Sequence, residues 1–354
     1  MKVKINPDIL GWARNEAGFT IEQISNHLDV APGKYTEWEK SGMDVPWGKL
    51  RELSGKYKRQ VAVFFLAQTP PVTKNPSDFR NFRLLANGIS PETLLAIRRA
   101  RKFLKLSADL AEKDYWTERY QWTEQITTPE QLRAKLEISL SDQISFKYTS
   151  QAFKTWRNCF ERHLGVFIFQ FALPYEEVQA FCISDSRPFG IVLNSKHSFS
   201  GRIFSLFHEA AHLLKNQSSI CYHDEIDKNQ EIEFSCNDFA GKLLVPDDVV
   251  PKIRTLVDLT ESANKFKVSA EVILRRNLVR SFITKTLFFD LLAELRKIPI
   301  HKRRGGGLSP VDKVTSSRGS MFFSIVTDAM HKNKLDFNTA SDVLGLKMNY
   351  LMYV

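Results

Sequence analysis

The sequence predicts an α+β, predominantly helical protein: an N-terminal bundle of short helices, a larger domain with a small sheet, and a small helical C-terminal extension. Three observations predict it. Residues 6 to about 66 carry apolar positions at helical spacing between capping and turn signals. Three runs between 165 and 194 are rich in β-branched and aromatic residues and are separated by turns. Most of the remaining chain returns to helical periodicity.

A chain of 354 residues exceeds one ordinary core and suits two or three domains. With 43% hydrophobic and 25% charged residues it has the composition of a soluble globular protein. No run of about 18 apolar residues predicts a membrane span. Residues 1–18 lack the apolar stretch and cleavage site of a secretory signal, so a cytoplasmic protein is expected. Cys159, Cys182, Cys221 and Cys236 are widely spaced, which argues against a disulfide framework and for reduced thiols. The net charge of +10 permits contact with a polyanion. The basic stretches at 98–102 and 296–304 read as solvated faces or loops in preference to a nucleic-acid patch.

Taken in order, Pro7 opens the first helix in its first turn. Thr20, with Gln23 three residues on, caps the second, whose apolar face is Ile21, Ile24 and Leu28. A tight connection at 29–33 leads into a third helix at 34–40 that ends at Ser41 and Gly42. Two short helices so joined are what a helix-turn-helix needs. Further helices are predicted at 47–57 and 61–66. Trp38 and Glu39 before a glycine, followed by Pro46, make this segment similar to the lambda-repressor-like (XRE) helix-turn-helix family. That resemblance implies that Lys34, Tyr35 and Glu37 face DNA; a role in protein contacts alone stays open, because Glu37 and Glu39 offset the basic charge.

The first domain is thus expected over 1–68, followed by a proline-rich connector over 69–89. A second domain is expected over 90–298, with its core at about 160–250. It opens with helix to about 140, where Trp116, Tyr120 and Trp122 read as packing residues rather than a base-stacking platform. Strands at 165–173, 178–183 and 189–194 then lead directly into a helix at 203–214. Helical pattern resumes after Pro246, at 268–274 and 275–295. A basic, Gly-rich linker is expected over 299–318; its three glycines, at 305–307, lack the surroundings of a phosphate loop. The extension spans 319–354, with its first helix at 320–331.

The chemistry lies on the helix at 203–214, which lacks Gly and Pro and carries His208, Glu209, Ala210, Ala211 and His212. Two histidines one turn apart share a face and can reach one ion, with Glu209 nearby as a general base. Two satisfied core histidines are the alternative, but burying three ionisable groups among apolar neighbours is costly without a metal or partner. A catalytic zinc also needs a third protein ligand. The helix predicted at 230–246 offers Glu233, beside a stripe of Ile232, Cys236, Phe239, Ala240, Leu243 and Leu244; Glu231 competes for the role. Asn237 is placed to orient a ligand. Tyr222, His223 and His197 lie near the motif as candidates to stabilise an oxyanion, or as loop residues. Cys221 and Cys236 read as packing residues.

The run from His208 to His212, the segment Ile232 to Asn237, then Ala240 and Leu243 to Pro246 together resemble the ImmA/IrrE family of metallopeptidases. The resemblance implies a zincin-like domain with one Zn2+ per chain, held by His208, His212 and Glu233, with Glu209 as general base. It also implies a zinc metalloendopeptidase that cuts a partner, a helix-turn-helix repressor or an antitoxin-like regulator, in a stress, mobile-element or phage-related response. A second reading is a DNA-binding XRE regulator or antitoxin whose zinc domain is a sensor or partner-binding module.

Overall fold

The computed structural model of the chain describes residues 1–70, 89–112, 115–215, 220–221, 230–298 and 307–352. Tyr222, His223, most of the expected connector and residues 299–306 of the expected linker lie outside the described residues. The chain divides into two compact units, Met1–Arg99 and Ala100–Val354.

In the first unit, α1 (Pro7–Glu16), α2 (Ile21–Leu28), α3 (Pro32–Ser41) and α4 (Trp47–Tyr57) enclose a core that includes Leu10, Ile24, Leu28, Trp38, Leu53 and Phe64. A short antiparallel pair joins β1 (Lys2–Val3) to β2 (Val45–Pro46). Thr20 and Gln23 form the expected capping box, and Asp29 ends α2 in the left-handed region at φ 53°. Gly42 ends α3 at φ 65°, where a Cβ would lie 2.1 Å from the Ile5 carbonyl oxygen. The expected fifth helix is a 3-10 turn, Val61–Phe65, short and rich in β-branched valine.

One expectation for α3 is corrected. Tyr35 does not face outward: it is fully buried, and its hydroxyl lies 2.7 Å from that of Tyr57. Lys34 and Glu37 are exposed and pair with each other at 2.7 Å, and Glu39 pairs with Arg14 at 2.8 Å.

The second unit is built around a four-stranded sheet. It begins within α5 (Pro91–Leu110) and continues through α6 (Tyr115–Arg119), α7 (Pro129–Lys135), α8 (Leu140–Ser145) and α9 (Thr149–Cys159). The basic run in α5 is not a purely solvated face: Arg98 donates to the Tyr57 carbonyl and Arg101 pairs with Asp185. Trp116, Tyr120 and Trp122 are core residues, as expected. The Tyr120 hydroxyl donates to the Gly165 carbonyl at 2.6 Å and accepts from the Phe189 amide at 2.9 Å, which ties together the starts of two strands.

Those strands are β3 (Phe167–Phe171) and β5 (Gly190–Asn194), paired in parallel; β4 (Ala180–Ile183) lies antiparallel on the other side of β5, and β6 (Ile220–Cys221) beyond β4. β3, β4 and β5 are buried at every residue, which explains why their sequences read as continuous apolar runs rather than as alternation. Phe167 and Phe169 point to one face, where Phe103 of α5 packs against Phe169 at 5.6 Å between ring centres. α10 (Phe199–Leu214) lies against β4 and β5, and its Phe207 packs on Trp156 and Phe160.

Next come α11 (Gln230–Leu244), α12 (Leu256–Phe266), α13 (Ala270–Val279), α14 (Lys285–Lys297), α15 (Pro310–Arg318), α16 (Ser320–His331), α17 (Phe337–Leu344) and α18 (Met348–Leu351). The second half of the expected linker is therefore helix, with Ser309 capping it and Pro310 in its first turn. α15 packs against β3, an edge strand of the sheet. Arg157 of α9 donates to the carbonyls of Ile168 and Ser316, both at 2.6 Å, and Gln170 of β3 donates to Ser316 at 2.5 Å. Glu161 accepts from the Ser320 hydroxyl at 2.6 Å and the Met321 amide at 2.9 Å. The C-terminal helices are thus laced into the sheet by buried polar groups. Among the described residues, no helix is long and apolar enough to cross a membrane.

Glu161→Ala is expected to leave Arg157 buried with one counter-charge fewer and to strip the start of α16 of its acceptor. Losses from breaking such a pair run to about 3–5 kcal/mol. Urea denaturation should show a lowered midpoint for the second unit.

Candidate metal centre

The site is set on two helices, and its first half is anchored before α10 begins. Asn194, fully buried at the end of β5, donates to the Val178 carbonyl at 2.8 Å and accepts from the amides of Leu173 and Lys196 at 3.2 and 3.1 Å. Ser198 then caps α10 by accepting from the Gly201 amide at 3.1 Å. Ile203, Leu206, Phe207, Ala210 and Leu213 bury the apolar part of that helix. The same burial takes in His208 at 6% exposure, Glu209 at 0% and His212 at 2%.

α11 packs alongside α10 and presents Glu233 and Asn237, one turn apart, to the histidines. Glu233 Oε2 lies 3.1 Å from His208 Nε2, and Oε1 lies 3.3 Å from His212 Nε2. The two Nε2 atoms are 3.1 Å apart. A tetrahedral zinc with bonds of about 2.0–2.1 Å separates its ligand atoms by about 3.3 Å. The two imidazole nitrogens lie near that spacing from each other, and each lies near it from one of the two Glu233 oxygens, so these residues fit a zinc ion. Asn237 Oδ1 lies 2.9 Å from His208 Nδ1. An amide oxygen only accepts, so Nδ1 carries the hydrogen, which leaves Nε2 to bond Glu233 when the ring is charged and to ligate a metal when it is neutral.

The electrostatics follow from the same contacts. Burial disfavours the charged form of His208, but the bond to Glu233 and the charges of Glu209 and Glu233 outweigh it and raise its pKa. Burial also works against ionised Glu233, yet its bonds to His208 and His212 hold it well below the usual carboxylate range. Cys236 behaves differently: burial pushes its thiol up to about 12, against the opposing effect of Lys215. It stays a thiol, in keeping with its reading as a packing residue.

Among the described residues the group that could hold a metal is His208, His212 and Glu233. Glu231 is exposed and lies outside it. His197 stacks on Tyr175 with ring centres 4.2 Å apart. The expected stripe of α11 is buried at Cys236, Ala240, Leu243 and Leu244, and half-buried at Ile232 and Phe239. Sequence reasoning missed Phe204, whose ring lies 6.3 Å from that of His208, and missed Asn194. It also missed three polar residues that hold the far end of α11, Arg133, Gln143 and Arg276. One signal for the last was present: Gly241 interrupts an apolar helical stripe, which marks a close approach.

His208→Ala and Glu233→Ala are each expected to weaken zinc binding by more than about 100-fold, and Asn237→Ala by about 10–100-fold, measured by chelator competition. The pH dependence has a sign. In the metal-free protein the raised His208 pKa gives stability that is present below the ordinary imidazole value of about 6.5 and fades as pH rises through the raised value. Zinc needs the deprotonated ring, so the rise in melting temperature produced by zinc should grow between about pH 6 and pH 8.

No curated protein and no solved structure matches the chain. Residues 161–277 match the family model of Peptidase M78, described as the IrrE N-terminal-like domain. The matched segment contains the sheet, α10 and α11, and leaves out the first unit and α14–α18. The part of the chain that carries the three converging ligand atoms is therefore similar to a metallopeptidase domain of the ImmA/IrrE type.

Proposed function

We propose that the protein is a zinc-dependent, site-specific endopeptidase whose substrate is a partner transcriptional repressor or antitoxin-like regulator. The observation that carries the reading is the convergence of two imidazole nitrogens and one carboxylate within 4.8 Å of one another, with a buried carboxylate, Glu209, adjacent in the chain. Zinc held there supplies Lewis-acid chemistry, polarising a peptide carbonyl and acidifying water. Glu209 takes a proton from the attacking water on a carboxylate oxygen and passes it to the nitrogen of the leaving amine. Asn237 keeps the His208 ring in the tautomer that ligates. The free thiols of Cys159, Cys182 and Cys236 suit a reducing compartment, the cytoplasm.

Within this reading the first unit is a docking element for the protein substrate, and the charge of its helix-turn-helix segment weighs against reading DNA. From Thr20 to Asp44 the chain sets Lys34 and Lys40 against Glu22, Asp29, Glu37, Glu39 and Asp44. Duplex phosphates are bound by clustered lysine and arginine, which this segment lacks. With Tyr35 buried as well, the pattern weighs against the alternative of a DNA-binding regulator.

Co-expression with the partner should yield discrete fragments with the wild type. Glu209→Gln is expected to retain zinc and to slow cleavage by about 10²–10⁴-fold. Equal fragmentation by both proteins would remove Glu209 from the mechanism. In anisotropy titrations at about 150 mM salt, operator duplex should bind less than about 10-fold more tightly than random duplex, far short of a sequence-specific reader.

A further inference from the structure

Gly241 lies inside α11, where glycine weakens a helix relative to alanine. A Cβ there would sit 3.0 Å from Cδ of Arg276, so the missing side chain makes room for the arginine stem. Arg276 comes from α13, is 3% exposed, and contacts both α11, at Asp238 and Gly241, and the turn that follows it, at Val245 and Asp247. Its Nε donates to the Val245 carbonyl at 3.1 Å, its Nη1 lies 3.6 Å from Asp238 Oδ1, and its Nη2 pairs with Asp247. Gln143 donates to the Leu244 carbonyl at 3.0 Å, and Arg133 to that of Leu243 at 2.5 Å. The C-terminal end of α11 and the turn after it are thereby held to α7, α8 and α13.

Glu233 and Asn237 project from the other half of the same helix and share one face. A side-chain head about 5–6 Å from a helix axis moves about 1 Å for a rotation of about 10°. A displacement of that size costs a preorganised site about 100-fold. One rotation of α11 would misaim both residues together.

We propose that Arg276, seated against Gly241, is a positioning residue for the metal centre: it sets the rotation of α11 that aims Glu233 at both histidines and Asn237 at His208. The inference rests on the zinc reading above and adds a determinant of that site on a third helix.

The test uses the full chain as Arg276→Lys and Gly241→Ala. Three quantities are measured for each: zinc affinity by chelator competition, the visible spectrum of the cobalt-substituted protein, and the melting temperature of the metal-free protein. Both variants are expected to lose at least about 10-fold in zinc affinity and to show an altered cobalt spectrum. A cooperative melt of the metal-free protein shows that each variant is folded, so that a change in zinc affinity reports on the aim of the ligands. If Arg276→Lys fails to fold, Gly241→Ala decides alone. Wild-type zinc affinity and cobalt spectrum in a folded variant would overturn the positioning role and leave the zinc reading intact. A wild-type protein that binds no zinc would overturn both.

Discussion

His208 and His212 are buried in an apolar layer, and the half-buried Glu233 reaches in to meet them. An unpaired carboxylate or imidazolium at that depth would be strongly disfavoured. Their mutual contacts, at 3.1–3.3 Å, offset that cost by sharing charge and protons, and a bound metal ion would offset it further. The requirement propagates outward. α10 must be rigid enough to carry polar residues into an apolar layer, so it is capped by Ser198 and laid on strands buried at every position. α11 must arrive at one rotation only, so its far end is tied to carbonyl oxygens by buried polar side chains.

How much of this was legible depends on the kind of interaction. The His208–His212 pair is visible because helical periodicity places residues four apart on one face, and the capping box at Thr20 because its two bonds span three residues. The three buried strands announce themselves by composition, but their order does not. Nothing local says that β3 pairs in parallel with β5 while β4 takes the opposite side. Glu233 and Glu231 could be ranked only through family likeness, since the choice is made by the orientation of α11. Tyr35 was misplaced for a related reason. Its spacing from Trp38 puts both on the inward face of α3, a local signal opposed to the one the family likeness implies. The arginine and glutamine contacts stayed hidden because their acceptors are main-chain carbonyls, which every residue possesses.

Those contacts also change the meaning of the basic composition. Arg98, Arg133, Arg157 and Arg276 point inward and donate to backbone carbonyls, while Arg202 donates to Gln170. Burial lowers the pKa of Arg98, Arg133 and Arg202 to about 10, which still leaves each charged at neutral pH. Guanidinium groups suit this work because five donors on a rigid plane can satisfy several carbonyls at once. Part of the net charge of +10 is therefore the by-product of interior scaffolding and not an adaptation for a polyanion.

The lacing of α15 and α16 onto β3 bears on the order in which the molecule is made. Arg157, Glu161 and Gln170 leave the ribosome long before Ser316, Ser320 and Met321, the groups they bond. The first unit has its own core and can condense early, as N-terminal domains do during synthesis. The bonds that lace β3 and its neighbours to α15 and α16 form only after those helices are made, and contacts so distant in sequence are slow to form. A nascent chain of the proposed peptidase therefore carries its ligand residues for much of its synthesis without the completed platform that aims them.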